Sequence, residues 1–104
     1  MQEALDSLQG QFNREMWGIC EREHEVGLCS TRFRQGLEAY GGVSYAHRLL
    51  AKADSDFPKN TFTYLRENGR LDLTAEYYVV QQRFHSLFSE SEREVAQWRL
   101  EHGD

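Results

Sequence analysis

Cys20, His24 and Cys29 are the side chains of this sequence whose types and spacing could bind a metal ion. Cys20 and His24 lie one helical turn apart, and thiolate and imidazole are preferred zinc ligands, so a three-ligand site is conceivable, with His47 or His85 as the fourth ligand. The spacing is not that of a known zinc finger, ribbon or knuckle, and a free cysteine on an amphipathic helix usually serves packing. We expect no metal and no cofactor, and a zinc or thiol site is an alternative.

Nucleophilic catalysis needs a serine or cysteine beside a histidine and an orienting carboxylate, and all these residue types are present. Nothing in the sequence places them together. There is no Gly-x-Ser-x-Gly elbow and no glycine loop that could hold a phosphate. A chain of this length built only from helices is also an uncommon enzyme scaffold. We therefore predict no catalytic residues and no enzymatic activity.

A helix-turn-helix is outlined by segment 61–82, in which two short predicted helices flank Gly69. A helix that reads bases needs exposed Arg, Asn or Gln. Here Tyr-Tyr-Val-Val occupies positions 77–80, and Gln-Gln-Arg follows only at 81–83. The net charge of −5 also disfavours phosphate binding. A small DNA-binding regulator is thus the second alternative.

A surface for another protein is the leading interpretation, with Trp17, Arg70, Tyr78 and Arg83 as candidate binding residues. Trp17 points away from the apolar face of the first predicted helix, and a tryptophan displaced from the core is a candidate interface anchor. That this helix is instead buried on two sides is equally open. Tyr78 has a neighbour, Tyr77, that cannot face the same way, so one of the two can reach the surface. We predict a non-enzymatic helical adaptor or inhibitor whose partner is another protein.

The composition is that of a folded globular protein. The chain has 104 residues, of which 39% are hydrophobic and 28% charged, and we expect a single domain spanning 1–104. No apolar run approaches the roughly 20 residues that span a bilayer, and the amino terminus carries acids where a signal peptide carries bases. We expect a cytoplasmic protein with no membrane partner and free thiols.

The charges are unevenly distributed. Residues 1–31 carry six acids and two bases (−4), residues 32–83 six and eight (+2), and residues 84–104 five and two (−3). Ten of the twelve basic residues are arginine, which pairs well with carboxylates and phosphates. The simpler interpretation is that these arginines pair with neighbouring acids on solvated helix faces.

Hydrophobic spacing predicts an all-α bundle of about six helices. The first runs from about residue 3 to 25 and ends at Gly27, the second ends at Gly41-Gly42, and the third covers about 43–53. After a loop containing Pro58, a short fourth helix closes at Gly69. The residues expected inside are Leu5, Leu8, Phe12, Met16, Ile19, Phe33, Leu37, Tyr40, Ala46, Leu49, Leu50, Phe62, Leu65, Leu71, Leu73, Phe84, Leu87, Phe88, Val95, Trp98 and the stem of Arg99.

Five residues are candidate helix caps. Ser30 can begin the second helix, and Asp72 or Thr74 the fifth. Ser89 and Glu92 have the spacing of a capping box, in which each side chain binds the other residue's amide. The β-favouring run at 77–80 follows these start signals and has no partner strand elsewhere, so we predict a buried helix there.

Several segments together resemble a family of small, uncharacterised all-helical bacterial proteins and carboxy-terminal domains. The resemblance covers most of 12–100, and its most specific part is Gly-Arg-Leu-Asp-Leu-Thr-x-Glu, from Gly69 to Glu76, followed by Leu-Phe at 87–88 before an acidic helix start. The chain departs from the family pattern at Leu28, before Phe62 and at Tyr78. The resemblance implies a bacterial or phage origin and an all-helical domain, and it implies no activity. The signature is interpreted as a structural joint in which Arg70 pairs with Glu76.

Overall fold

The computed structural model describes residues 7–28, 31–52 and 59–102 and confirms the predicted all-α bundle. Within these ranges no strand is present. Short 3₁₀ helices at Glu23–Val26, Leu71–Leu73 and Gln82–Leu87 connect or extend the α-helices. The six α-helices of the described part are α1 (Leu8–Arg22), α2 (Thr31–Tyr40), α3 (Gly42–Leu50), α4 (Lys59–Glu67), α5 (Ala75–Val79) and α6 (Glu90–His102).

The core is built around α1, which contacts α2, α3 and α5. Phe12, Met16 and Ile19 recur at three- and four-residue spacing and are fully buried, as their periodicity predicts. The ring of Phe12 meets those of Phe84 and Phe88 edge-on, each at a centroid distance of 5.1 Å. These aromatic contacts join α1 to the segment between α5 and α6.

The connection between α2 and α3 depends on two glycines with different roles. Gly41 has a φ of 81°, a conformation that side chains rarely adopt, and it ends α2 as predicted. Gly42 does not extend that stop, because it is the first residue of α3. Its amide donates to Oδ1 of Asn13 at 2.8 Å, and a Cβ at this position would lie 2.7 Å from the Asn13 Cα. The missing side chain therefore lets α3 approach the backbone of α1.

The β-favouring run is helical, as predicted, but the helix is short. Thr74 is its N-cap, because its Oγ1 accepts a hydrogen bond from the Tyr77 amide at 3.2 Å. Asp72 is not a cap, since it lies within the 3₁₀ helix and binds Arg70. The helix α5 has five residues, and all but Tyr77 are buried. The Gln-Gln-Arg run proposed for base reading lies after this helix, at 81–83.

Helix α6 begins with both hydrogen bonds of the predicted capping box. The Ser89 amide donates to Glu92 Oε1 at 2.9 Å, and the Glu92 amide donates to Ser89 Oγ at 3.1 Å. Ala96 and Arg99 form its buried side. Positions 96 and 98 lie about 200° apart around a helix, so burial of Ala96 turns Trp98 outward.

The prediction of burial was wrong for three residues. Trp98 is 48% exposed and Val95 36%, while Tyr40 on α2 is 46% exposed. The buried Arg99 sets the rotation of α6, because its whole side chain rather than its stem alone points inward. Hydrophobicity alone assigned Trp98 and Val95 to the inner face.

Other predictions fall outside the described residues. They concern Leu5, Cys29, the Ser30 cap, Ala53, and Pro58 with most of its loop. Among the described helices, none combines the length and the apolar character that crossing a membrane requires.

Candidate functional site

Tyr78 lies at the centre of a polar network on one side of the molecule. It is 6% exposed, and its hydroxyl accepts a hydrogen bond from Arg22 at 2.6 Å. Burial raises the pKa of the Tyr78 phenol against the opposing effect of Arg22, and the nearby Glu15 and Asp72 carboxylates raise it further. The tyrosine of this pair that reaches the surface is Tyr77, which is 40% exposed. Because Tyr78 is buried, a partner could contact only the small exposed part of its side chain.

Arg70 and Arg83 each bind one of the two carboxylates near Tyr78, Asp72 and Glu15 respectively. Arg70 binds Asp72 at 3.1 Å and Glu25 at 2.9 Å, and Arg83 binds Glu15 at 2.8 Å. The predicted Arg70–Glu76 pair was wrong, because Glu76 is buried and pairs with Arg99. The fold thus brings Arg70, Tyr78 and Arg83 together. We name the set Glu15, Arg22, Glu25, Arg70, Asp72, Tyr78 and Arg83 the tyrosine network.

The tyrosine network balances its own charge. Its three arginines are matched in number by three carboxylates, and two of the predicted binding residues, Arg70 and Arg83, already have acidic partners. The Arg83 guanidinium also lies 4.4 Å above the Phe84 ring and donates to the Gln81 side chain at 2.9 Å. Groups held in this way are poorly placed to attract a charged ligand.

Trp17 does not join the network. It is partly buried and packs against the hydrophobic core cluster. Of the two alternatives that the sequence left open, the structure favours the one in which α1 is covered on more than one side. The exposed tryptophan of the molecule is Trp98.

Trp98 stands on the solvent side of α6 with two neighbours at helical spacing. Val95 lies three positions before it and His102 four positions after it, so the three share one stripe. The rings of Trp98 and His102 stack with centroids 5.2 Å apart. We call Val95, Trp98 and His102 the α6 stripe. Val95 and Trp98 thus expose apolar side-chain surface on the same side of α6.

A row of acids runs beside the α6 stripe. Glu94, Gln97 and Glu101 each lie one position before a residue of the stripe, Glu90 lies one helical turn before Glu94, and all four are exposed. Gln97 donates to Glu101 at 2.9 Å. We call Glu90, Glu94 and Glu101 the acidic row. A shallow groove of about 290 Å³ lies along the row and is lined by Val80, His85, Glu90, Arg93, Glu94 and Gln97.

The buried side of α6 is fixed by polar contacts. Arg99 donates to Glu76 at 3.0 Å and to the carbonyl oxygens of Leu49 at 2.9 Å and Lys52 at 3.1 Å. Burial raises the pKa of the Glu76 carboxyl, and the Arg99 guanidinium opposes that shift. A cavity of about 330 Å³ opens beside this pair. Its lining combines apolar side chains such as Phe33 and Phe62 with charged ones that include Glu23, Arg32 and Lys52.

Two further contacts hold α6 at its ends. Near its start, Glu92 binds His47 of α3 through Nδ1 at 2.5 Å, in addition to its capping bond. Near its end, Arg66 of α4 donates to the Leu100 carbonyl at 2.7 Å. A cation at the carboxyl end of a helix also suits the helix dipole. The α6 stripe and the acidic row thus stand on an element anchored at both ends.

The cysteine and histidine residues do not form a metal centre in the described part of the chain, where no three ligating side chains converge. Cys20 is a free thiol, and burial raises its pKa, with Glu23 adding to the shift. A raised pKa lowers the fraction of thiolate, which is the form that attacks electrophiles and binds zinc. His24 is exposed within the first 3₁₀ helix, and Cys29 lies outside the described residues.

Comparisons with known proteins return no relative. No protein-family model matches the chain, and neither a curated protein nor a solved structure matches it. The resemblance to an uncharacterised bacterial family stays a prediction, and a functional hypothesis has to come from the surface of this molecule. Sequence reasoning missed the α6 face because it assigned Trp98 to the core. The signal that could have revealed it is the shared spacing of the acidic row and the stripe.

Proposed function

We propose that this chain is a non-enzymatic helical module that binds another protein, as an adaptor or an inhibitor, through the exposed face of α6. The observation that carries the proposal is Trp98, 48% exposed beside Val95. Tryptophan is among the residues most enriched at the energetic centres of protein interfaces, because its large ring is strongly stabilised when a partner excludes water from it.

The rigidity of α6 supports the proposal. The capping box, the Arg99–Glu76 pair and the Arg66 contact hold this helix at its start, middle and end. A preorganised face loses little conformational entropy when it binds, so more of the contact energy appears as affinity. A protein that exposes a tryptophan on a helix fixed in this way presents it ready for contact.

The polar groups of the interior give catalysis little support. At the 330 Å³ cavity, the Glu76 carboxyl and the Arg99 guanidinium bind each other. The thiol of Cys20 has a raised pKa, which makes it a weaker nucleophile near neutral pH. These features suit a structural interior better than a reaction centre. The proposal includes a bacterial or phage setting in the cytoplasm, for which the sequence interpretation is the support.

A capture experiment with matched tryptophan and tyrosine variants tests the proposal. The tagged chain serves as bait in lysate of its source organism, treated with nuclease or left untreated. Bound proteins are identified by mass spectrometry with wild type, Trp98→Ala and Tyr40→Ala. Tyr40 is a suitable control because it is 46% exposed and lies on a different helix.

The expected result is a partner that wild type and Tyr40→Ala retain after nuclease treatment and that Trp98→Ala loses. A partner retained equally by all three baits would contradict the role of the α6 face. A signal that disappears with nuclease would instead support the DNA-binding alternative, and Gln81, Gln82 and Arg83 would be the residues to change next.

A further inference from the structure

We infer that the partner docks a basic amphipathic helix on α6, with apolar side chains covering Val95 and Trp98 and with Lys or Arg side chains meeting the acidic row. The inference rests on the proposed function and names the chemistry of the partner. It follows from how charge and apolar surface are arranged on α6.

The spacing of the two rows matches the contact pattern of a helix. The stripe extends from Val95 to His102, about 10 Å along the axis at about 1.5 Å per residue, and the acidic row from Glu90 to Glu101 extends about 16 Å. A partner helix that lies alongside contacts such a face with anchors at i, i+3, i+4 and i+7. Two to three turns of the partner therefore cover both rows at once.

The negative charge on the exposed face of α6 favours a partner with basic side chains. Among the ion pairs between described residues, none includes Glu90 or Glu94. The neighbouring Arg93 is turned to the backbone, where it donates to the carbonyl oxygens of Phe88 at 2.6 Å and His85 at 3.0 Å. The tyrosine network neutralises itself, whereas the acidic row keeps an excess of negative charge beside an apolar stripe. A lysine or arginine side chain that contacts Glu90 and Glu94 would neutralise part of that negative charge.

The same charges disfavour other occupants. In a symmetric dimer through α6, the same patch faces itself, so the acidic row of one copy would lie near that of the other. Like charges across an interface oppose association. Phosphates of nucleic acids or anionic lipids would also be repelled by three carboxylates. A basic amphipathic helix satisfies both the stripe and the row.

Model peptides of opposite charge and equal apolar content test this chemistry directly. The probes are a Leu–Lys amphipathic helix and a Leu–Glu helix, each of about 18 residues, or five turns. Dissociation constants are measured by calorimetry at low and at physiological salt, together with tryptophan emission. Wild type is expected to bind the Leu–Lys peptide, more weakly at higher salt, with a blue shift as Trp98 leaves water.

Matched variants separate a specific face from general attraction to an acidic protein. Glu90, Glu94 and Glu101 are changed together to Gln, and the control changes Glu21, Glu38 and Glu67, which are exposed and lie outside α6. Both triple variants lose the same formal charge. The α6 triple variant and Trp98→Ala are each expected to weaken Leu–Lys binding about tenfold or more. The control triple variant and Tyr40→Ala are expected to change it less than about twofold.

A charge reversal gives an independent readout. With Glu90, Glu94 and Glu101 changed to Lys, the chain is expected to prefer the Leu–Glu peptide. The inference is overturned if wild type binds neither peptide or binds both equally, if the two triple variants weaken binding equally, or if the reversed face keeps its preference for Leu–Lys. Circular dichroism checks that each variant is folded, which is expected for exposed positions.

The outcome can be separated from that of the proposed function. A natural partner that is captured through Trp98, but retained by the Gln triple variant, would leave the protein-binding function standing and overturn the basic partner. A partner insensitive to Trp98→Ala would overturn the proposed function at this face, whatever the peptides do.

Discussion

Arg99 is the residue on which the position of α6 most depends. It is 2% exposed, and arginine is rarely buried to this degree without partners. Its guanidinium binds Glu76 of α5 and the carbonyl oxygens of Leu49 and Lys52 at the end of α3. One side chain thereby ties three helical segments together and turns Trp98 to the solvent.

Replacing Arg99 with Met is expected to lower the free energy of unfolding by about 3–5 kcal/mol, because Glu76 is left buried without its cation. Urea denaturation measures the loss. The double variant Arg99→Met, Glu76→Leu is expected to recover part of it, since no uncompensated charge remains in the core. A loss below about 1 kcal/mol for the single variant would mean that the pair does not hold α6 in place.

The two tryptophans are expected to respond differently to truncation. Trp17 packs against the core, so Trp17→Ala is expected to lower the free energy of unfolding by about 2 kcal/mol or more. Trp98 is 48% exposed, so Trp98→Ala is expected to change it by less than about 0.5 kcal/mol. Denaturant melts compare the two variants. Equal losses would place Trp98 in a buried environment and remove it as a contact residue.

At the scale of the helices, the packing of the bundle depends on the close approach of α1 and α3. Gly42 lies where the two helices meet, and its amide is satisfied by the Asn13 side chain. Gly18, on α1, is also helical, but a Cβ there would be in ordinary van der Waals contact with the Arg22 guanidinium, at 3.4 Å. The same residue type thus serves close packing at one position and not at the other.

Alanine at these two positions is expected to have opposite effects. Gly42→Ala is expected to destabilise the fold by about 1–3 kcal/mol, because the new Cβ forces α3 away from α1. Gly18→Ala is expected to stabilise it by about 0.5–1 kcal/mol through helix propensity. Thermal melts of both variants give the comparison. A stabilising Gly42→Ala would show that the two backbones do not touch.

At the scale of the whole molecule, charge is divided between two surfaces. The tyrosine network pairs its arginines with acids, while the acidic row leaves carboxylates beside Trp98. Part of the net negative charge of −5 therefore lies beside the exposed apolar stripe. This coincidence of charge and apolar surface is the basis of both proposals.

The free energy of unfolding is expected to change with pH through the contact between Glu92 of α6 and His47 of α3. Burial opposes ionisation of Glu92, but hydrogen bonds with the Ser89 amide and His47 outweigh it and lower its pKa from the ordinary value of 4.5. Because the folded pKa lies below the unfolded one, this stabilisation is present above the unfolded value and is lost as the pH falls through the folded value.

The variant Glu92→Gln is therefore expected to be less stable than wild type near neutral pH and to approach it in acid. Urea melts between about pH 3 and pH 7 measure the difference. Glu94→Gln is the matched control, because Glu94 is an exposed carboxyl on the same helix without a histidine partner, and its small difference from wild type should not follow this trend. A Glu92→Gln difference that stays constant with pH would contradict the assigned bonds.

Much of the architecture was predictable from local signals. The helix periodicity of Phe12, Met16 and Ile19 and the capping box at Ser89 depend on residues near one another in sequence. The candidate site was less predictable. Arg70, Tyr78 and Arg83 do come together, but their acidic partners Glu15 and Glu25 are distant in sequence, and periodicity carries no information about such pairing.

The sequence by itself determined the fold class, most helix ends and the helical state of the run at 77–80, because propensities, caps and apolar spacing act within a few residues. Only the tertiary structure decided which side of α6 is buried. Arg99 finds Glu76 and two backbone carbonyls inside, and these long-range contacts outweigh the hydrophobicity that would turn Trp98 inward. A buried charge is stable only where its partners converge, and that convergence exists only in the assembled fold.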